Sequence, residues 1–201
     1  MKMRIAVAVS GRGSNLDALL RALGPDAPAA VVLVVSDRPG APALTLAREH
    51  GIEPLVLSDP GDSREWLESF RKQQVELVVL AGYLKLVPRP VIAAYRGRII
   101  NIHPALLPAF GGKGMYGRRV HEAVLASGAT ETGATVHLVD EVYDHGPVLA
   151  QMTVPVRPGD SPETLAARVL EVEHRILPAA VLAAARAGHP VPLNGSGVGS
   201  Q

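Results

Sequence analysis

Apolar runs and glycine-containing breaks alternate regularly through the first hundred residues. Ile5 to Val9 is continuously apolar, the mark of a strand covered on both faces. Ser10-Gly11-Arg12-Gly13-Ser14-Asn15 interrupts it, after which Leu16, Leu19, Leu20 and Leu23 recur at helical spacing. Ala30 to Val35 reads as a second buried strand. Pro42 fits the first turn of a helix that Gly51 stops. Leu55 to Leu57 is a short third strand. Asp62 or Ser63 caps a helix that carries Trp66, Leu67 and Phe70 on one face, with Glu65 placed as in a capping box. Val75 to Ala81 is strand four, and a brief helix through Ile92 to Tyr95 leads into strand five. That strand carries Asn101 and His103 at its end, and Pro104 cannot continue the ladder.

Strands alternating with helices predict an α/β domain with a doubly wound, mostly parallel sheet. Ligands of such sheets bind at the carboxyl ends of the strands. The Gly11–Asn15 turn, the Tyr83–Val87 loop and the Asn101/His103 pair are therefore expected on one edge. After Pro108 the pattern changes. Ala109 to Gly117 is glycine-rich and expected to be a mobile loop, and Val120 to Ser127 a short helix. Thr132–Val139 and Val148–Val156 read as late strands joined by a turn at Asp144-His145-Gly146-Pro147, with antiparallel pairing left open. Ser161-Pro162 starts a long C-terminal helix with the stripe Leu165, Val169, Val172 and Ile176. Pro178 is expected to kink or interrupt it. Residues 1–190 read as one domain and 191–201 as a flexible tail, glycine- and serine-rich from Asn194.

Composition narrows the classes. A chain of 201 residues, 47% of them apolar, can bury a real core. Its net charge of +1, without a basic run, argues against nucleic acid as the main partner. With no cysteine, neither disulfides nor thiolate metal sites contribute. The first apolar run is too short for a signal peptide and no run is long enough to span a membrane, so a cytoplasmic protein is expected. Monomer and homodimer both remain open.

Asn101 and His103 stand two apart on an extended backbone and so face one side. An amide donor beside a titratable imidazole suits acyl or formyl transfer; a turn cap and a structural histidine are the plain alternative. Gly11-x-Gly13-Ser14-Asn15 at a strand-to-helix turn is a ready anion site, or an ordinary turn with Ser or Asn as N-cap. Leu16 stands where a dinucleotide fingerprint wants its third glycine, which favours a single phosphate, although Asp37 keeps the dinucleotide option open. Asp144 either bonds its own turn or faces His103. Glu173 reads as a solvated helix-edge carboxylate and Arg64 as a solvated helix residue. His137 reads as structural, and neither His121 nor His174 has metal-ligand spacing.

The segments Ser10–Leu16, Leu80-Ala81-Gly82-Tyr83, Asn101-Ile102-His103-Pro104-x-Leu106-Leu107-Pro108, Asp144-x-Gly146-Pro147 and Val172-Glu173-His174 occur in order. On them the chain resembles, over residues 4–190, the phosphoribosylglycinamide formyltransferase family of folate-dependent enzymes. The resemblance implies a Rossmann-like formyltransferase fold with Asn101, His103 and Asp144 as the catalytic trio. Gly13, Ser14 and Asn15 would hold a ribonucleotide phosphate, and Glu173 would contact the glycinamide end or ribose. Arg64, Leu84, Lys85, Leu86 and Val87, with Asp140, Glu141 and the rest of the turn to Asp144, would line the folate site. The implied reaction carries a formyl group from 10-formyltetrahydrofolate to glycinamide ribonucleotide in purine synthesis, with no metal required. Protonated His103, held charged by Asp144, would stabilise the intermediate. A formyltetrahydrofolate deformylase and initiator-tRNA formylation are rivals; each would carry a further domain, which is expected to be absent. A non-catalytic nucleotide-binding module is the rival of another class. Ala105 departs from the serine usual after His-Pro, and Gly111–Tyr116 departs from some members, so that loop receives no role beyond possible lid motion.

Overall fold

The structure, a computed structural model, describes residues 1–193. Its sheet runs β3-β2-β1-β4-β5-β6-β7. The strands are β1 (Met3–Val9), β2 (Ala29–Ser36), β3 (Glu53–Val56), β4 (Leu77–Leu80), β5 (Ile99–His103), β6 (Glu131–Leu138) and β7 (Val148–Pro155). The first five pair in parallel; β5–β6 and β6–β7 are antiparallel. The pairing left open by the sequence is thus antiparallel, as a short turn between β6 and β7 allows.

Helices cover both faces, which is why β1 and β4 are apolar without alternation. On one face α1 (Ser14–Ala22), α2 (Pro42–Glu49), α5 (Arg118–Ala126) and α6 (Pro162–Ala187) share a core with Ile5, Val7 and Val9. On the other, α3 (Ser63–Lys72) and α4 (Arg89–Ala94) pack on Ala6, Ala8, Val78 and Leu80. An edge-to-face ladder of rings runs from Tyr95 through Phe70 and Trp66 to Tyr83, with centroids 5.2, 5.6 and 5.5 Å apart. It fixes the loop after β4 to the body of the domain.

Two local expectations change. Asp62 caps α3 by accepting from the Arg64 amide, but Glu65 does not complete a capping box: it turns back to accept from the amide and hydroxyl of Ser58. Pro178 does not interrupt α6, which is helical from Pro162 to Ala187; the proline is buried with Ile176, Leu177 and Val181, and tertiary packing outweighs its lost hydrogen bond. The capping box forms instead at Ser161 and Thr164, at the start of α6. Within the expected tail of residues 191–201, Leu193 donates to the Leu149 carbonyl at 2.8 Å, and residues 194–201 lie outside the described ones. Among the described residues no helix is long and apolar enough to cross a membrane.

Trp66 is fully buried and joins two of those ring contacts. Trp66→Ala is expected to lower the unfolding free energy by about 3–5 kcal/mol in urea titrations; a loss under about 1 kcal/mol would mean that the ladder carries little load.

Candidate active site

Strand order reverses between β1 and β4, so the loops leaving their carboxyl ends diverge and open a crevice. Those loops are stitched together. The Ser10 amide donates to the Gly82 carbonyl, the Ser10 hydroxyl donates to Asp37 at 2.6 Å, and it accepts from the Leu84 amide at 2.9 Å. Asp37 is therefore spent inside the protein, its side chain 2% exposed, and Leu16 is fully buried against the core. Gly13 takes φ 83° as the N-cap of α1, and a Cβ there would lie 2.6 Å from the Ala43 Cβ. No side chain caps the helix, so neither Ser14 nor Asn15 is spent as an N-cap.

A cavity of about 1120 Å³ occupies the crevice. Gly13, Ser14 and Asn15 line one part of it, and Leu84 to Val87 with Asp140 another. Asn101, His103, Asp144 and Glu173 line it too, so the structure brings the expected trio and the glycine turn together. It does not bring Arg64, whose side chain is 89% exposed and paired with Asp62 at 2.8 Å, or Glu141, which pairs with Arg89 on the outer side of its turn. Helix α3 starts outside the crevice, so a solvated Arg64 is what its position dictates.

The trio has a fourth member that the sequence reading took as structural. On the antiparallel ladder Asn101 pairs with His137 and His103 with Thr135, so their side chains share a face. Nδ1 of His137 donates to the Leu138 carbonyl at 2.8 Å, which leaves Nε2 to accept from the Asn101 amide at 3.0 Å. Among the described residues the second Asn101 N–H has no acceptor. Asp144 lies between the two rings, one oxygen 3.5 Å from His103 Nδ1 and the other 3.5 Å from His137 Nε2. The Gly112 amide donates to the same carboxylate at 2.9 Å. Of the two readings of the Asp144 turn, the one facing His103 is realised.

His103 Nε2 donates to the Phe110 carbonyl at 2.8 Å, because a carbonyl can only accept. In the neutral ring the bare nitrogen is Nδ1, turned toward Asp144. Phe110 and Asp144, the two residues that hold this ring, both occupy the left-handed region, at φ 56° and 54°. Such a backbone costs about 1–2 kcal/mol per residue and clusters at functional sites. The loop after β5 is anchored without a serine at 105. Thr135 donates to the Ala105 carbonyl and accepts from the Leu107 amide, and Gln151 bonds both Thr135 and Leu107.

Charge states differ from expectation in two places. Burial holds the His103 pKa below its ordinary 6.5, outweighing the pull of Asp144 and the Phe110 carbonyl the other way. The resting imidazole is neutral rather than charged. Asp144 is pushed up by burial, but the two rings and the Gly112 amide more than offset this and keep it ionised. Glu173 is not a solvated carboxylate: it is 8% exposed, accepts from Asn15 at 2.6 Å, and burial pushes its pKa up to about 7. Exposed cations Arg12, Lys113 and Arg119 line the same cavity and favour anionic ligands.

A fold with its ligand crevice at the β1/β4 divergence and an Asn-x-His pair beside it defines a class, and residues 3–181 match the family described as formyl transferase. The chain belongs to that family. Its relatives include the chloroplastic phosphoribosylglycinamide formyltransferase of Arabidopsis thaliana, 45% identical over 87% of this chain. The chain spans only 63% of that protein's length. The phosphoribosylglycinamide formyltransferase of Bacillus subtilis is 35% identical over 89% of this chain and 92% of its own. The crystal structure of glycinamide ribonucleotide transformylase 1 from Symbiobacterium toebii superposes with a TM-score of 0.85 at 39% identity, covering 92% of this chain and 89% of that one.

Two outcomes follow for titration. Raising a carboxyl pKa from 4.5 to about 7 makes the native state the stronger proton binder, so Glu173 withdraws about 3 kcal/mol of stability as pH rises from 4.5 to 7. The stability of Glu173→Gln relative to the parent should grow by that amount across the window; a constant difference in urea midpoints would contradict the buried carboxyl. By NMR, His103 should titrate below 6.5, and Asp144→Asn should move its midpoint lower still by removing the anion beside it. A rise would contradict the assignment.

Proposed function

We propose that the chain transfers the formyl group of 10-formyltetrahydrofolate to the primary amine of glycinamide ribonucleotide, a step of purine synthesis. The observation that carries the reading is the meeting of Asn101, His103 and Asp144 on the wall of the cavity that the glycine turn also lines. Ser14 and the amides at the start of α1 hold the phosphate. Glu173 accepts from the ribose or the glycinamide end. Leu86, Val142 and Tyr143 are 45%, 58% and 39% exposed at the cavity rim, an unusual amount of bare apolar surface that suits a flat pterin ring.

The amine nitrogen attacks the formyl carbon and the carbonyl oxygen gains negative charge. The free N–H of Asn101 donates to that oxyanion, while His137 holds the amide in place through its second N–H. Neutral His103 takes the amine proton at Nδ1, where the Asp144 carboxylate steadies the new imidazolium. The proton then passes to N10 of the folate as the C–N10 bond breaks, giving the formylated ribonucleotide and tetrahydrofolate. Every side chain in this scheme comes from one chain, so a monomer and a homodimer accommodate it equally. We assign the reaction to the cytoplasm, as the sequence reading has it.

A spectroscopic assay of folate deformylation, run with and without glycinamide ribonucleotide, tests the proposal. Turnover that requires the ribonucleotide is expected. Formate release without it would make the protein a hydrolase, and silence from folded protein with both ligands would leave a binding module. Asn101→Ala should lower kcat by about 100- to 1000-fold with little change in KM.

A further inference from the structure

His121 has no part in the chemistry described above, yet it is built into the same cavity. It sits on the second turn of α5, is 5% exposed, and lines the cavity wall. Among the described residues neither of its ring nitrogens has a hydrogen-bond partner, and Nδ1 is sealed from solvent. A buried histidine on an apolar helix face ordinarily finds a carbonyl or carboxylate for one nitrogen. Here the unsatisfied ring points to a partner that arrives with the ligand.

The tautomer follows from the same observation. A proton on Nδ1 would be an N–H buried with no acceptor, which is rarer in folded proteins than an unused lone pair. The proton therefore belongs on Nε2, the nitrogen left to meet the cavity. Burial, reinforced by the nearby His103, also keeps the ring neutral. The position selects the ligand. Helix α5 packs on α6, and α6 carries Glu173, which bonds Asn15 of the glycine turn. His121 thus belongs to the face of the sheet that carries α1, α5 and α6, whereas Tyr83, Val87 and Val139, beside the apolar rim of Leu86, Val142 and Tyr143, belong to the core on the other face.

We propose that His121 is a substrate-binding residue whose Nε2–H donates to an oxygen acceptor on the amine-bearing, phosphate-bearing substrate between the glycine turn and His103. This rests on the formyl-transfer reading given above. Neutral donation distinguishes it from the surface cations: it serves a carbonyl or hydroxyl oxygen and does not depend on ionic strength.

Glutamine places an amide nitrogen where His Nε2 stands, asparagine places one nearer Nδ1, and phenylalanine keeps the ring shape alone. With the full-length protein and glycinamide ribonucleotide, His121→Phe and His121→Asn should lose about 10- to 100-fold in kcat/KM, mainly through KM for the ribonucleotide and with KM for the folate unchanged. His121→Gln should recover most of that loss. Equal activity of Phe and Gln variants, or a loss confined to the folate, would overturn the proposal while leaving formyl transfer intact. An inactive parent protein would instead sink the formyl-transfer reading. Nitrogen chemical shifts of the His121 ring in the free protein give a check independent of activity: an Nε2–H tautomer is expected, and an Nδ1–H tautomer would overturn the assignment.

Discussion

Asp144 carries its charge where little water reaches it, 11% exposed, and a buried carboxylate must be paired or neutralised. The Gly112 amide donates to it at 2.9 Å, and two imidazole nitrogens stand 3.5 Å away, each of which pairs with the carboxylate once it is protonated. Each comes from a different segment: His103 ends β5, His137 lies on β6, and Gly112 belongs to the glycine-rich loop between them. The carboxylate itself sits in the β6–β7 turn. One anion thereby ties the end of the parallel sheet to the antiparallel half. In the proposed reaction the same interaction matters again, because a proton arriving at His103 Nδ1 meets a charge already in place.

Burial and charge compete at this point, and their balance decides the resting state. Proximity of a carboxylate alone suggests a permanently charged His103. Desolvation outweighs it and holds the ring below its ordinary pKa, the state that the proposed proton transfer needs. At Glu173, which lines the same cavity, burial meets a neutral amide rather than a charge. Among the described residues Glu173 is bonded by the Asn15 amide alone, and burial pushes its pKa up to about 7. The two carboxylates are chemically alike, and their environments give them different states at one pH.

The parallel half of the fold was legible because its signals are local: continuous apolar runs, helical spacing and glycine breaks recur within a few residues of each other. The Asn101/His103 pair was legible for the same reason, as residues two apart on a strand face one way. The place of His137 beside Asn101 was not, because it depends on the β5–β6 register, a pairing between residues 36 apart that no local pattern encodes. The signal available was its alternation into a strand two residues after Thr135. Glu173 was misread as solvated because it lies beside the apolar stripe of α6, and only the packing of α1 on α6 buries it. Arg64 entered through family resemblance alone, and the position of α3 leaves it outside the cavity. Pro178 shows the limit of a local rule, since a helix held by its buried face tolerates a proline within it.

The most direct test of the account is a crystal structure of the protein with glycinamide ribonucleotide and a non-reactive folate analogue. The account predicts the phosphate on the Gly11–Ser14 turn, the amine within hydrogen-bond reach of His103, and the acceptor oxygen that mimics the formyl group on the free Asn101 N–H. A phosphate bound elsewhere, or an amine separated from His103 by the Asp144 turn, would contradict it.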